Sequence, residues 1–130
     1  MIPATETVTE GIRVRVSARY APERSEPRRG LYCFVYRVRI RNEGEEAARL
    51  LTRHWTIVDG EGRVREVHGP GVVGETPRLE PGESFEYLSA CPLPTPTGSM
   101  RGRFRMARDD GRVFDAEIGA IAFSMPHSLH

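Results

Sequence analysis

The sequence predicts an all-β chain folded as an immunoglobulin- or fibronectin type III-like β-sandwich. Three observations carry that expectation. Seven segments read as strands, most of them alternating apolar and polar residues with period two, turn residues separate them at short spacing, and no window of eleven residues holds clean helical periodicity. Short strands spaced in this way pack as two antiparallel sheets over one core.

The elements follow in order. Residues 1–10 are polar and unpatterned and read as a flexible N-terminal tail. One domain is expected over residues 11–125, with residues 126–130 as a C-terminal tail. From Gly11, Ile12, Val14, Val16 and Ala18 point one way while Arg13, Arg15, Ser17 and Arg19 point the other, a half-buried strand. Residues 21–30 carry two prolines and many charges, a solvated loop. Leu31–Asn42 is the second strand, with Phe34, Tyr36, Val38 and Ile40 on one face and Arg37, Arg39 and Arg41 on the other. Asn42-Glu43-Gly44 supplies a turn.

Arg49–Asp59 is apolar or aromatic on both faces around Trp55, Ile57 and Val58, which places it centrally. A Gly60-Glu61-Gly62 turn leads into a short strand, Arg63–Val67. Ser84–Cys91 sets Phe85, Tyr87, Ser89 and Cys91 against Glu86, Leu88 and Ala90. Arg101–Arg108 sets Arg101, Arg103 and Arg105 against Gly102, Phe104 and Met106, and Val113–Phe123 is the last strand.

The register of one hairpin follows from pattern alone. A two-residue Asp110-Gly111 turn would oppose apolar Met106 to charged Asp115. A three-residue Asp109-Asp110-Gly111 loop opposes Met106 to Phe114, Arg105 to Asp115 and Arg103 to Glu117. The second puts one face in the core and pairs opposite charges on the other, each pair worth about 0.2–1 kcal/mol. Gly111 then takes the left-handed position of such loops.

At 130 residues the chain can bury about two-thirds of its unfolded surface without staples. Its formal net charge of +1 gives no global attraction to nucleic acid or membrane. All 19 basic residues are Arg, which pairs bidentately with carboxylate or phosphate. Cys33 and Cys91 are too few for a disulfide scaffold and are expected as buried free thiols. No signal peptide and no 18-residue apolar run is visible, so a cytoplasmic location is expected.

Catalytic constellations are missing from the pattern. There is no G-x-S-x-G elbow, no H-E-x-x-H and no C-x-x-C, and the carboxylate pairs Asp109/Asp110 and Glu45/Glu46 sit in turns. No catalytic residue and no cofactor is therefore assigned. Gly69-Pro70-Gly71-Val72-Val73-Gly74 spells G-x-G-x-x-G, but Pro77 and Pro81-Gly82 leave no room for the helix a dinucleotide site needs. The run reads as a loop between strands. An anion could still sit on its amides, which makes Gly69, Gly71 and Gly74 candidates with Arg53, Arg65 and Arg101 around them. Pro70 removes one donor.

His54 and His68 are the metal candidates, with Glu66 near. A three-residue turn at Gly60 to Gly62 would set His54 opposite His68, whereas a two-residue turn would set it opposite Val67. The pattern leaves both open. His127 and His130 form a second, C-terminal pair. Cys91-Pro92-Leu93-Pro94-Thr95-Pro96 fixes an extended stretch, read as a rigid loop that ends in Met100. Pro94, Pro96, Met100 and Arg101 are the partner-binding candidates.

Several segments together look familiar. Leu50-Leu51-Thr52-Arg53-His54-Trp55 precedes Asp59-Gly60-Glu61-Gly62-Arg63-Val64, then Val67-His68 and the glycine run. Leu79-Glu80-Pro81-Gly82-Glu83-Ser84-Phe85-Glu86-Tyr87 and Pro94-Thr95-Pro96-Thr97-Gly98-Ser99-Met100-Arg101-Gly102 follow. In order and spacing, from Ile12 onward, this resembles the ApaG (CorD) family. Thr97 stands where many members carry an aromatic. The resemblance implies a fibronectin type III-like sandwich and a bacterial protein linked to cobalt tolerance and magnesium efflux. Similar domains in eukaryotic F-box proteins and a DNA-polymerase-interacting protein look like protein-binding modules.

The expected function is a non-enzymatic protein-interaction module with an unidentified protein partner. Its surface would join Pro94–Met100 to Gly69–Gly74 and Arg53–Trp55. One alternative is a binding protein for a nucleotide or dinucleoside polyphosphate at Gly69–Gly74. The second is a divalent-cation sensor or transport accessory at His54 and His68. Exposed sheet edges would also permit a homodimer.

Overall fold

The structure, a computed structural model, describes residues 3–126. Nine strands are named: β1 (Ala4–Thr9), β2 (Ile12–Tyr20), β3 (Tyr32–Asn42), β4 (Ala48–Asp59), β5 (Val64–Pro70), β6 (Arg78–Leu79), β7 (Ser84–Leu93), β8 (Thr97–Arg108) and β9 (Val113–Ser124). Two short 3-10 turns, Pro22–Arg24 and Pro27–Arg29, fill the loop after β2. One sheet runs β1-β2-β3-β7 and the other β5-β4-β8-β9, with β6 pairing β4. All the pairings between strands are antiparallel. The result is the sandwich expected from the alternation.

Core residues are those the period-two pattern assigns inward. Ile12, Val14 and Val16 from β2 and Phe34, Val38 and Ile40 from β3 meet Phe104 and Met106 from β8 and Phe123 from β9. Phe34 stacks on Phe123 with ring centroids 4.9 Å apart. Trp55 packs edge-on against Tyr36 at 5.6 Å and Phe104 at 6.3 Å. Aromatic pairs in these geometries add about 0.5–1.5 kcal/mol beyond their area. β4 lies between β5 and β8, the central position its two-faced apolar character predicts.

The β8–β9 register is the one the charge pattern selects. Met106 opposes Phe114, Arg105 opposes Asp115 and Arg103 opposes Glu117. Gly111 closes the three-residue loop at φ +91°. The β4–β5 hairpin also uses three residues, since the Asp59 amide donates to the Arg63 carbonyl, and His54 therefore opposes His68.

The N-terminal segment departs from the expected tail. Ala4–Thr9 forms β1, paired with β2 through a tight turn at Glu10 and Gly11, both at positive φ. Its inward residues are threonines rather than aliphatics, which hides the alternation. Thr7 donates its hydroxyl to the Glu117 carbonyl, and the Glu117 amide donates to the Thr9 hydroxyl. These bonds seal the β1–β9 side of the sandwich. Of the C-terminal tail, residues 127–130 lie outside the described residues, so His127 and His130 do too.

Asn42, read from sequence as a turn residue, is a buried clamp at the end of β3. It is 0% exposed. Its amide donates to the Glu46 carbonyl at 2.8 Å and the Leu79 carbonyl at 3.0 Å, and its oxygen accepts from the Gly44 amide at 3.0 Å. One side chain thus ties β3, the following turn and β6 together. Replacement by Leu removes the partner of those three backbone groups, of which only the Leu79 bond is fully buried, and a buried orphan costs about 1–3 kcal/mol. Asn42→Leu is expected to lose roughly 2–4 kcal/mol, read as a lower urea midpoint at unchanged slope.

Candidate functional site

A β-bulge decides which side chains of β4 face inward. Leu50 opposes Met106 on β8, but Thr52 opposes Arg105, so Leu51 is an extra residue. Before the bulge Ala48 and Leu50 are buried; after it Trp55 and Ile57 are. The parity has flipped. Arg53 shares the inner parity of Trp55, while Thr52, His54 and Thr56 face solvent on the outer side.

Arg53 therefore lies in the open seam between edge strands β5 and β7. Its Nη1 donates to the carbonyls of Pro70 and Gly71, both at 2.9 Å. The glycine run folds around this cation as a tight hairpin tip. The Gly71 amide donates to Leu51, and Val72 and Glu75 exchange amide-to-carbonyl bonds. Gly71 sits at φ +60°, and a Cβ there would lie 2.4 Å from the Glu75 carbonyl oxygen. A phosphate cradle needs converging amides. Here Pro70 has none, the amides of Gly71, Val72 and Glu75 already have acceptors, and two carbonyls point at the arginine. The structure brings Gly69, Gly71 and Arg53 together, with Arg53 donating to the loop.

The opposite wall of the seam is β7. Tyr87 is 8% exposed, and its hydroxyl has no hydrogen-bond partner among the described residues. Burial, with the Tyr36 phenol nearby, holds the Tyr87 phenol well above the ordinary tyrosine range. Burial also raises Tyr36, against a hydrogen bond from Ser89. The Cys91 thiol is pushed up to about 11 by burial, which outweighs the pull of Arg65. Both Cys91 and Cys33 are free, as expected. Arg65 reaches across from β5 to the Pro92 carbonyl at 3.4 Å.

The outer surface of β7 carries a feature of a different kind. Leu88 is 62% exposed. It borders a shallow groove of about 730 Å3 with Val35 and Ala90, rimmed by Arg19, Arg24 and Arg37. β7 pairs with β3 on one side only. From Ser84 to Ala90 its other edge meets no backbone partner among the described residues.

The ApaG domain family matches this chain over residues 22–108. The chain belongs to the ApaG family. It is 56% identical to Protein ApaG of Anaeromyxobacter dehalogenans strain 2CP-C over 123 residues, which covers 95% of this chain and 97% of that one. Protein ApaG of Bordetella pertussis is 50% identical over 117 residues, covering 90% and 89%. The crystal structure of the ApaA protein of Bordetella pertussis superposes with a TM-score of 0.85 at 47% identity, covering 97% of this chain and 98% of that one. No helix of the described residues is long and apolar enough to cross a membrane.

In this ApaG chain the other sequence candidates scatter. His54 and His68 stand on the outer face with ring centroids 5.5 Å apart. His54 Nε2 bonds Glu66 Oε1 at 2.9 Å, and its Nδ1 lies 3.4 Å from the Arg103 guanidinium. Both ring nitrogens are thus engaged, and no group of three or more potential metal ligands occurs among the described residues. His54 in turn holds Glu66 below the usual carboxylate range. Pro94 and Pro96 are exposed at one end of the sandwich. Thr95 between them is buried, accepting from the Gly60 amide at 2.8 Å and donating to the Thr97 carbonyl at 2.7 Å. Arg101 is exposed on the outer face of β8.

Met100 is the correction. It is 1% exposed and lies in the core, because β8 begins at Thr97 and Met100 shares the inward parity of Gly102, Phe104 and Met106. It is not part of any surface, and Pro94, Pro96 and Arg101 do not join into one patch through it. Leu88 and Tyr87 are the residues that sequence reading left unassigned to a site. Leu88 was detectable as an apolar residue at outward parity between Glu86 and Ala90.

Met100→Ala should cost roughly 2–5 kcal/mol, the usual range for a buried methionine, whereas Arg101→Ala should leave the thermal midpoint unchanged. Differential scanning calorimetry of both variants separates them.

Asp59 gives a pH test. Burial opposes its ionisation, but the Glu61 and Arg63 amides and the Arg63 side chain outweigh that and hold its pKa low. A depressed carboxylate contributes stability that is fully present above its unfolded pKa, about 3.9. That contribution is lost as pH falls through the folded value. Asp59→Asn should therefore be less stable than the parent at neutral pH, with the gap closing below about pH 4, as read by urea midpoints across an acid series.

Proposed function

We propose that this chain is a non-enzymatic protein-interaction module of the ApaG type, working in the cytoplasm. The observation that carries this reading is Leu88, 62% exposed on an edge strand beside a groove rimmed by arginines. A large aliphatic at that exposure loses hydration cost only when something covers it. Arginine at the rim of an apolar patch is the composition that protein interfaces favour. The docking surface moves accordingly, from Pro94–Met100 to the outer face of β7.

On this reading, the cobalt tolerance and magnesium efflux that the family resemblance implies act through a protein partner. The engagement of both His54 nitrogens with Glu66 and Arg103 supports that choice over an ion held directly. The bonded amides of Gly71 and Val72 support it over a phosphate site.

Two measurements test the proposal. Immobilised protein is incubated with bacterial lysate and cross-linked, in parallel with Leu88→Asp; a partner retained by the parent and lost by the variant is the expected result. Amide NMR titrations with ATP, diadenosine tetraphosphate, magnesium and cobalt are expected to show no saturable shifts. Shifts confined to Gly69–Gly74 with a nucleotide would replace the module with a nucleotide-binding protein. Broadening at His54 and His68 with cobalt would replace it with a metal sensor.

A further inference from the structure

We infer that the partner is an extended, acidic segment that adds to the sheet as a new strand along β7. This rests on the interaction-module reading and specifies its occupant. Three independent features of β7 converge. Its outward edge from Ser84 to Ala90 offers unpaired backbone groups, the template for strand addition. Its outer face presents Leu88 beside Val35 and Ala90, an apolar seat for one side chain. Its inner side faces Arg65, which reaches across from β5 to the Pro92 carbonyl.

An added strand alternates its side chains between the same two faces. Residues on its outer face would meet Leu88. Residues on its inner face would lie along the seam between β7 and β5, which holds Arg53 and Arg65. Carboxylate side chains complement both. The outer rim adds Arg19, Arg24 and Arg37, set against Glu23 and Glu86; Arg19 pairs with Glu23 at 2.9 Å and Arg37 with Glu86 at 3.7 Å. Arg24, Arg53 and Arg65 have no carboxylate within ion-pair distance among the described residues, so the surplus is cationic on both sides of the edge. The sequence chemistry that fits is alternating apolar and acidic residues.

The probe is a short peptide of alternating Glu and Val, titrated into isotopically labelled full-length protein. Saturable amide shifts at Glu86, Tyr87, Leu88 and Arg65 are expected. Leu88→Glu, at an exposed position, should weaken binding by about tenfold or more through like-charge repulsion and loss of the apolar seat. The same peptide methylated on every backbone nitrogen should not bind, because strand addition needs its amides. A Lys/Val peptide should not bind either.

Absence of any saturable response to the Glu/Val peptide overturns the inference, as does equal affinity of the methylated peptide. Shifts that map to β1 and β9 or to the Pro94–Pro96 end overturn it too. So does a sedimentation result in which a second copy of the chain occupies β7. In each of these cases a lysate partner lost in Leu88→Asp would leave the module reading standing, so the two failures are distinguishable.

Discussion

One inserted residue, Leu51, sets the terms for the rest of the site. A strand that alternates without interruption from Leu50 would send Thr52, His54 and Thr56 into the core and Arg53 and Trp55 into solvent. The bulge reverses that assignment midway along β4. Trp55 becomes the aromatic centre of the core, Arg53 becomes the cation of the seam, and the two histidines become surface residues. The glycine run then has a defined task. It must turn sharply enough to bring two carbonyls onto the Arg53 guanidinium, and Gly71 supplies the backbone conformation for it. Bulge, arginine and loop form one structural unit, since the Gly71 amide returns to the carbonyl of Leu51 itself.

The sandwich is closed on one side and open on the other. Threonines of β1 stitch β9 across the closed side. On the open side Arg65 reaches over the gap from β5 to the Pro92 carbonyl of β7. Buried groups with raised pKa values, Tyr87 and Cys91, line that gap. A thiol near 11 is almost wholly protonated at neutral pH, so Cys91 behaves there as a small apolar side chain. What the seam offers a ligand is therefore hydrogen-bond donation and positive charge.

Much of the fold is legible in the sequence because alternation and charge pairing carry the same information twice. The β8–β9 register needs only the demand that Met106 meet Phe114 while Arg105 meets Asp115. The β4–β5 register could not be chosen, because turn length alone distinguishes His68 from Val67 opposite His54, and Gly60-Glu61-Gly62 suits either. β1 was missed because threonines at positions 5, 7 and 9 alternate without being apolar, and their partner lies more than a hundred residues away. Met100 was misplaced for the opposite reason. The prolines before it suggested a loop, while the inward parity of Gly102, Phe104 and Met106 already reached back to it. The sequence sets Arg53 beside the glycine run, as the structure does, but its inward parity is not legible, since a bulge leaves composition and local spacing unchanged.

The two open edges are not equivalent, and that bears on how copies of this protein meet at high concentration. β5 is a poor acceptor of another strand. It has seven residues, most of them exposed, with charged Arg65 and Glu66 among them, and Pro70 contributes no N–H. β7 is the adhesive edge, with ten residues and Pro92 only near its end. Head-to-tail joining of β7 to β5 would propagate without limit, but β5 withholds the second half of that contact. Joining β7 to β7 uses up the adhesive edge of both molecules and stops at two. A molecule joined only through β7 therefore cannot build a fibre by adding strands end over end.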